Sequence, residues 1–202
     1  MFSVRIHGRG GQGAVTAAEL LSVAAFDEGR HAQAFPTFGS ERTGAPVVSF
    51  CRIDDRPIRL REPITHPDAV IVQDPTLLHQ VNLFAGLRPD GFLLVNTSRT
   101  PAELGITELV AGLTPEHVVT VPATGIARRE LGRPLPNAAL LGGFAALTAE
   151  VSLRAVTDAI RERFPGEVGE GNAHAAEAAY THVLAVMRRL ATPAGNQEAG
   201  RC

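Results

Sequence analysis

The stretch Gly8-Arg9-Gly10-Gly11-Gln12-Gly13 lies between a short apolar run, Phe2 to His7, and a long alanine-rich one, Ala14 to Phe26. Its spacing is G-x-G-x-x-G in the setting that gives the pattern meaning, a strand passing through a tight turn into a helix. The first glycine lets the chain turn sharply, and the second removes a Cβ where a ligand approaches the backbone. The third lets helix and strand pack closely. The helix N-terminus then offers unpaired N–H groups and a partial positive charge, which suits a phosphate. The alternative is a tight βα turn whose glycines serve packing alone.

The helix after the turn is expected from about Gln12 to Glu28. Small and apolar residues (Ala14, Val15, Ala17, Leu20, Leu21, Val23, Ala24) surround nearly its whole circumference, so it should be buried, against a sheet on one side and a partner on the other. Gly29 is placed to stop it. A second strand is expected from His31 to Phe35. In dinucleotide-binding proteins an acid about 20 residues past the glycines grips the ribose hydroxyls. Here His31-Ala32-Gln33-Ala34-Phe35-Pro36 offers no carboxylate, and the first acid downstream, Glu41, is already in a loop. That counts against NAD. Arg42 is a poor NADP candidate across Pro36 and Gly39.

Pro36 to Pro46 reads as a loop from its Pro, Gly and Ser content. Val47 to Ile53 and Pro57 to Leu60 are strand candidates, and Asp54-Asp55 between them predicts an antiparallel hairpin. Asp68 to Val72 reads as a fully buried parallel strand. Asp74 as N-cap and Pro75 at the first helical position predict a helix through Phe84. Further strands are expected at Phe92 to Val95 and His117 to Val121. Helices are expected at Ala123 to Leu131, Asn137 to Glu150, along Leu153-Val156-Ile160-Phe164, and along Tyr180-Val183-Leu184-Met187-Leu190. The fold class is therefore α/β: a single Rossmann-like domain over residues 1–190, its sheet mostly parallel with an antiparallel edge hairpin and helices on both faces. Residues 191–202, small and polar, are expected to be a disordered tail.

Composition narrows the function. Hydrophobic residues make up 45% and charged residues 20% of the 202-residue chain, and the net charge is −2. Nothing in that balance favours nucleic acid or an anionic membrane. The longest uncharged apolar run, Ala138 to Ala149, is shorter than the ~20 residues that span a bilayer. With no signal-peptide pattern and only Cys51 and Cys202, the reading is a cytoplasmic protein in a reducing compartment. The chain lacks C-x-x-C, so it holds no iron–sulfur cluster or thiolate zinc site by itself. Its seven His are scattered, there is no G-x-S-x-G, and all 19 basic residues are Arg, which removes lysine chemistry. The polar residues left at expected strand ends are the glycine turn, residues 37–44, Asp74, Asn96 and Thr124, where open parallel sheets bind ligands. Arg9 and Arg42 are the charges available to a phosphate or carboxylate.

Five blocks resemble the gamma subunit (domain III of the fused enzymes) of the 2-oxoacid:ferredoxin oxidoreductases, the pyruvate:ferredoxin oxidoreductase group. They are Arg5 to Gly13, Gly39 to Val47, Pro67 to Leu78, Ala123 to Ala127 and Gly132 to Asn137, in that order. The resemblance implies a role in a complex that converts a 2-oxoacid and CoA to acyl-CoA, CO2 and reduced ferredoxin, or the reverse. Thiamine diphosphate and iron–sulfur clusters would then sit on thiamine-binding alpha and beta subunits and a ferredoxin-like delta subunit. The gamma subunit would cover the active site and help place coenzyme A, without catalysing alone. Carried onto this chain, Gly8, Arg9, Gly10, Gly11, Gln12, Gly13, Arg42, Thr43 and Gly44 are the positions that face CoA or the thiamine site. The family often has Arg-Gly-Gly where this chain has Arg42-Thr43-Gly44, which removes one backbone freedom. Two other readings stay open: a free-standing NAD(P) or flavin oxidoreductase, and a purely structural lid.

Overall fold

Strand β1 (Phe2–Arg9) alternates apolar and polar residues, and that alternation sets the two faces of the molecule. Val4 and Ile6 point to one side, Ser3, Arg5 and His7 to the other, and all five are buried. The structure, a computed structural model, describes residues 1–37 and 44–191. Around β1 the strands β2 (His31–Pro36), β3 (Pro46–Asp54), β4 (Ala69–Val72), β5 (Phe92–Asn96) and β6 (Val118–Val121) form one six-stranded sheet. Its order is β2-β3-β1-β4-β5-β6. From β1 to β6 the strands run parallel, with Ile6 beside Ile71, Ile71 beside Leu94 and Leu94 beside Val119. On the other side β3 is antiparallel to both β1 and β2. The α/β class and the antiparallel edge thus hold.

The members of the edge hairpin differ from expectation. β3 pairs with β2, which precedes it, and residues 57–60 form no strand. The reason is local. Asp54 accepts the Arg56 N–H and pairs with the N-terminal ammonium, while Asp55 pairs with Arg30. Pro57 has no N–H to donate, and the Leu60 and Glu62 carbonyls accept from the Arg52 side chain instead of from a strand.

Helices α1 (Ala14–Asp27), α3 (Ala123–Leu131), α4 (Asn137–Thr148), α5 (Leu153–Arg163) and α6 (Glu167–Ala191) pack with Val4, Ile6 and Ile71 in one core. The opposite face is covered more thinly, by a 3-10 turn over Pro75–His79, the four-residue helix α2 (Thr107–Val110) and connecting loops. The helix expected through Phe84 is therefore only that turn. The Leu83 and Ala85 carbonyls, which a longer helix would have led into its own ladder, accept from the Arg5 guanidinium at 2.7 Å each.

Helix α4 is buried along its whole length. It lies so close to α6 that a Cβ on Gly142 would fall 2.0 Å from the Ala176 carbonyl oxygen. Helix α6 is longer than its apolar stripe: its first half is built of small residues, with Ala176 against α4, Gly169 against Phe164 and Gly171 against Glu130 and Leu131. Helix α4 ends at Thr148, where Ala149 turns left-handed. Of the expected tail, all but Ala191 lies outside the described residues. No helix among the described residues is long and apolar enough to cross a membrane.

Candidate functional site

The glycine turn stands where the order of the sheet reverses, at the carboxyl end of β1 between the parallel and antiparallel halves. That is where open α/β sheets place ligands. Helix α1 begins at Ala14, two residues later than expected, because Gly11 and Gly13 take φ values of 90° and 79°. Gly13 is its N-cap and supplies no side-chain acceptor, so the first-turn N–H groups keep their positive potential.

The glycines divide between the two readings of the motif. A Cβ on Gly8 would lie 2.6 Å from Gln73 Oε1, and one on Gly13 would lie 2.8 Å from Asn137 Nδ2 at the start of α4. Those two serve packing. Gly11 has nothing within 4 Å, so its face is open to a ligand.

Arg9 and Gln12 hold the turn in place. The Arg9 Nε donates to Asp74 Oδ2 at 3.0 Å, Nη1 donates to the Gly44 carbonyl, and Nη2 donates to Thr76 Oγ1 and Gln80 Oε1. Gln12 accepts the Arg9 N–H through Oε1 and donates through Nε2 to Asp74. Asp74 Oδ1 caps the 3-10 turn by accepting from Thr76 N–H and Oγ1–H. Burial opposes ionisation of Asp74, but bonds from Thr76 and Gln12 and the charge of Arg9 outweigh it. Its carboxyl is held below the usual range. The guanidinium expected to meet a phosphate is thus a clasp. The segment after it is fastened by backbone: Gly10 N–H donates to the Ala45 carbonyl and Gly44 N–H to the Gly10 carbonyl. Gly44 itself is left-handed, φ 83°. Arg42 and Thr43 lie outside the described residues.

Deeper in the crevice, Asn96 donates to the Gln73 carbonyl and to Thr124 Oγ1 and accepts the Thr124 N–H. It ties the ends of β4 and β5 to the start of α3, which makes both Asn96 and Thr124 structural. Gln73 is the exception. Its side chain is 2% exposed and neither amide atom meets a partner. Gln73 and Asn137 had no role assigned from sequence. The available signal was Gln73's place directly after an apolar parallel strand, where side chains reach the ligand end of the sheet.

The buried titratable groups of β1 and β3 are held in their neutral forms. His7 is buried beside Arg5, and burial first, with that charge second, takes its pKa down to about 3, so it is neutral. The buried Cys51 thiol is pushed up to about 12. Among the described residues no group of three or more His, Cys, Asp and Glu could hold a metal.

Fold and site together define a Rossmann-like unit with a phosphate-compatible βα turn. Residues 3–182 match the family model described as pyruvate ferredoxin/flavodoxin oxidoreductase. The chain is 50% identical over 184 residues to pyruvate synthase subunit PorC of Methanocaldococcus jannaschii, covering 91% of this chain and 98% of that protein. It is 51% identical over 184 residues to the pyruvate/ketoisovalerate oxidoreductases common subunit gamma of Thermococcus kodakarensis, with the same coverage of 91% and 98%. Pyruvate oxidoreductase subunit PORC of Thermotoga maritima superimposes with a TM-score of 0.77 at 37% identity, covering 89% of this chain and 95% of that one. The chain belongs to the pyruvate ferredoxin/flavodoxin oxidoreductase family, and the relatives it spans nearly end to end are subunits of such oxidoreductases.

Proposed function

We propose that this chain is the gamma subunit of a 2-oxoacid:ferredoxin oxidoreductase complex, and that its glycine turn helps place coenzyme A. The observation that carries the reading is the open, uncapped start of α1, held rigid by the Arg9–Asp74 clasp with no reactive group beside it. Such a site binds and orients; it does not transform. The residues fit a phosphate of CoA: Gly11 leaves room for the backbone to be approached, and no side chain caps the first turn of α1. Gly44, whose N–H donates to the Gly10 carbonyl, borders that opening, and Arg42 and Thr43 just before it are the residues proposed to add contacts to CoA. CoA, when bound, supplies the thiol that takes up the acyl group. Thiamine diphosphate and the iron–sulfur clusters belong to partner subunits: thiamine-binding alpha and beta chains and a ferredoxin-like delta chain.

A free-standing NAD(P) or flavin enzyme is disfavoured, because β2 carries no ribose-binding carboxylate and is an antiparallel edge strand here. The gamma subunit of Thermococcus kodakarensis is named as common to pyruvate and ketoisovalerate oxidoreductases. That name supports substrate choice residing outside this chain.

The test is CoA titration of the assembled enzyme carrying Gly11→Ala or Arg42→Ala. Binding through the turn predicts a KM for CoA raised about tenfold, the factor for losing ~1.4 kcal/mol, with the KM for the 2-oxoacid unchanged. An unaltered KM for CoA in both variants would leave the chain a structural lid.

A further inference from the structure

We infer that the outer edge of β2, with the groove beside it, receives an extended acidic segment of a partner subunit. The inference rests on the subunit reading above and is independent of CoA. β2 ends the sheet, and its ladder phase is fixed because the Thr37 N–H donates to the Val48 carbonyl. Alternation then turns Gln33 and Phe35 toward β3, and leaves the N–H groups of Ala32 and Ala34 facing outward with no strand beside them. An edge of this kind is a template for strand addition.

Next to the edge, on the thinly covered face, Phe35 and Phe50 stack with centroids 5.1 Å apart. They floor a groove of about 540 Å3 completed by Gln33, Pro36, Thr37, Arg61 and Pro63. Its aromatic and proline walls suit an apolar side chain. Gln33 Oε1 is buried there without a donor.

Charge selects the occupant. Arg52 is 4% exposed, lies over the Phe35 ring at 5.2 Å, and among the described residues its side chain donates to the Leu60 and Glu62 carbonyls alone. Arg61 lines the groove and Arg59, two residues before it, is exposed as well; no ion pair involves either among the described residues. Glu62 is the one carboxylate in residues 59–63, and the nearby Asp54 and Asp55 are paired with the N-terminal ammonium and Arg30. This patch is cationic on a chain whose net charge is −2. A second copy of this chain paired edge to edge would set Arg59 and Arg61 against their own kind, whereas a strand with Asp or Glu flanking an apolar residue complements them.

Hydrogen exchange on the wild-type chain, alone and within the assembled complex, tests this. The Ala32 and Ala34 amides should exchange at least about tenfold more slowly in the complex. Arg59→Glu/Arg61→Glu, exposed and outside the CoA turn, should fold normally by circular dichroism yet weaken assembly about tenfold or more, with wild-type assembly weakening as salt rises. Ala34→Pro should also impair assembly, because it removes an outward donor that the β2–β3 ladder does not use. Exchange at Ala32 and Ala34 unchanged in an intact complex, or full assembly of both variants, would overturn the proposal while leaving the subunit reading standing. Protection already present in the chain alone, with a dimer by sedimentation, would overturn it in favour of self-pairing. Failure of the wild-type chain to join any complex would refute the subunit reading itself.

Discussion

Replacing Arg9 with methionine keeps the bulk of the stem and removes every donor of the clasp. The Nε–Asp74 bond is charge-assisted and its partners are only 22% and 13% exposed, so it contributes about 1.5 kcal/mol. The three Nη bonds, to the Gly44 carbonyl, Thr76 and Gln80, are solvent-exposed and add about 1 kcal/mol together. Some of this is returned by the freedom the longer side chain no longer loses on folding. The net expectation is about 2 kcal/mol of destabilisation at neutral pH. For a chain of this size that is a fall in Tm of about 4–8 °C, measured by circular dichroism. The pH dependence gives the sharper check. Asp74 has a folded pKa below its ordinary 3.8, so its contribution is present above that value and is lost as pH falls through the folded pKa. Arg9→Met removes only the Arg9 share of that lowering, because the Thr76 and Gln12 bonds remain, so the Tm gap between wild type and variant should hold from pH 7 to about 5 and narrow in part below 4. A gap under 1 °C at pH 7 would refute the clasp. So would a gap that stays constant down to the lowest pH at which both chains fold.

Two further outcomes follow from buried groups. His7 is neutral when folded, with a pKa near 3 against 6.5 unfolded, so its stabilisation is complete above pH 6.5 and is lost as pH falls toward 3. At pH 5 the loss is about 2 kcal/mol, and His7→Gln should flatten the fall in stability between pH 7 and 5 seen by urea denaturation; an equally steep fall in the variant would count against it. Gly142→Ala would drive a Cβ into the Ala176 carbonyl, a backbone atom that cannot step aside. It should cost more than about 3 kcal/mol or prevent folding, while Gly125→Ala, where nothing lies within 4 Å, should be neutral or stabilising by up to ~1 kcal/mol. Equal stabilities of the two variants would contradict the close α4–α6 approach.

The parts legible in the sequence were those whose cause is local. The glycine turn, the fully buried Ala69–Val72 strand, the Asp74-Pro75 cap and the helix striped by Leu153, Val156 and Ile160 all carry their signals within a few residues. The errors come from side chains that lie outside the segment being read. Residues 57–60 look like a strand until Arg52 takes the Leu60 and Glu62 carbonyls, and residues 80–84 look helical until Arg5 takes those of Leu83 and Ala85. Both arginines sit in strands, where a composition reading treats them as surface charges. At the site, the presence of a βα turn was legible, but the division of labour was not. Arg9 looks free in sequence because its partners Asp74, Thr76 and Gln80 lie more than 60 residues away. Gly8 and Gly13 resemble ligand-facing glycines until Gln73 and Asn137 are seen against them.

The unequal covering of the sheet has a consequence for how the chain breaks. One face is roofed by five helices, and scission there requires opening α4 and α6, which amounts to unfolding the core. The other face offers extended, exposed backbone at residues 55–63, secured chiefly by one arginine side chain. Proteases cut where a dozen residues can be drawn out without dismantling the remainder. A trypsin nick after Arg59 or Arg61 would therefore leave two fragments still joined through the β1–β4 ladder and the core that α1 shares with α4 and α5, a molecule cut in covalent terms and whole in every other.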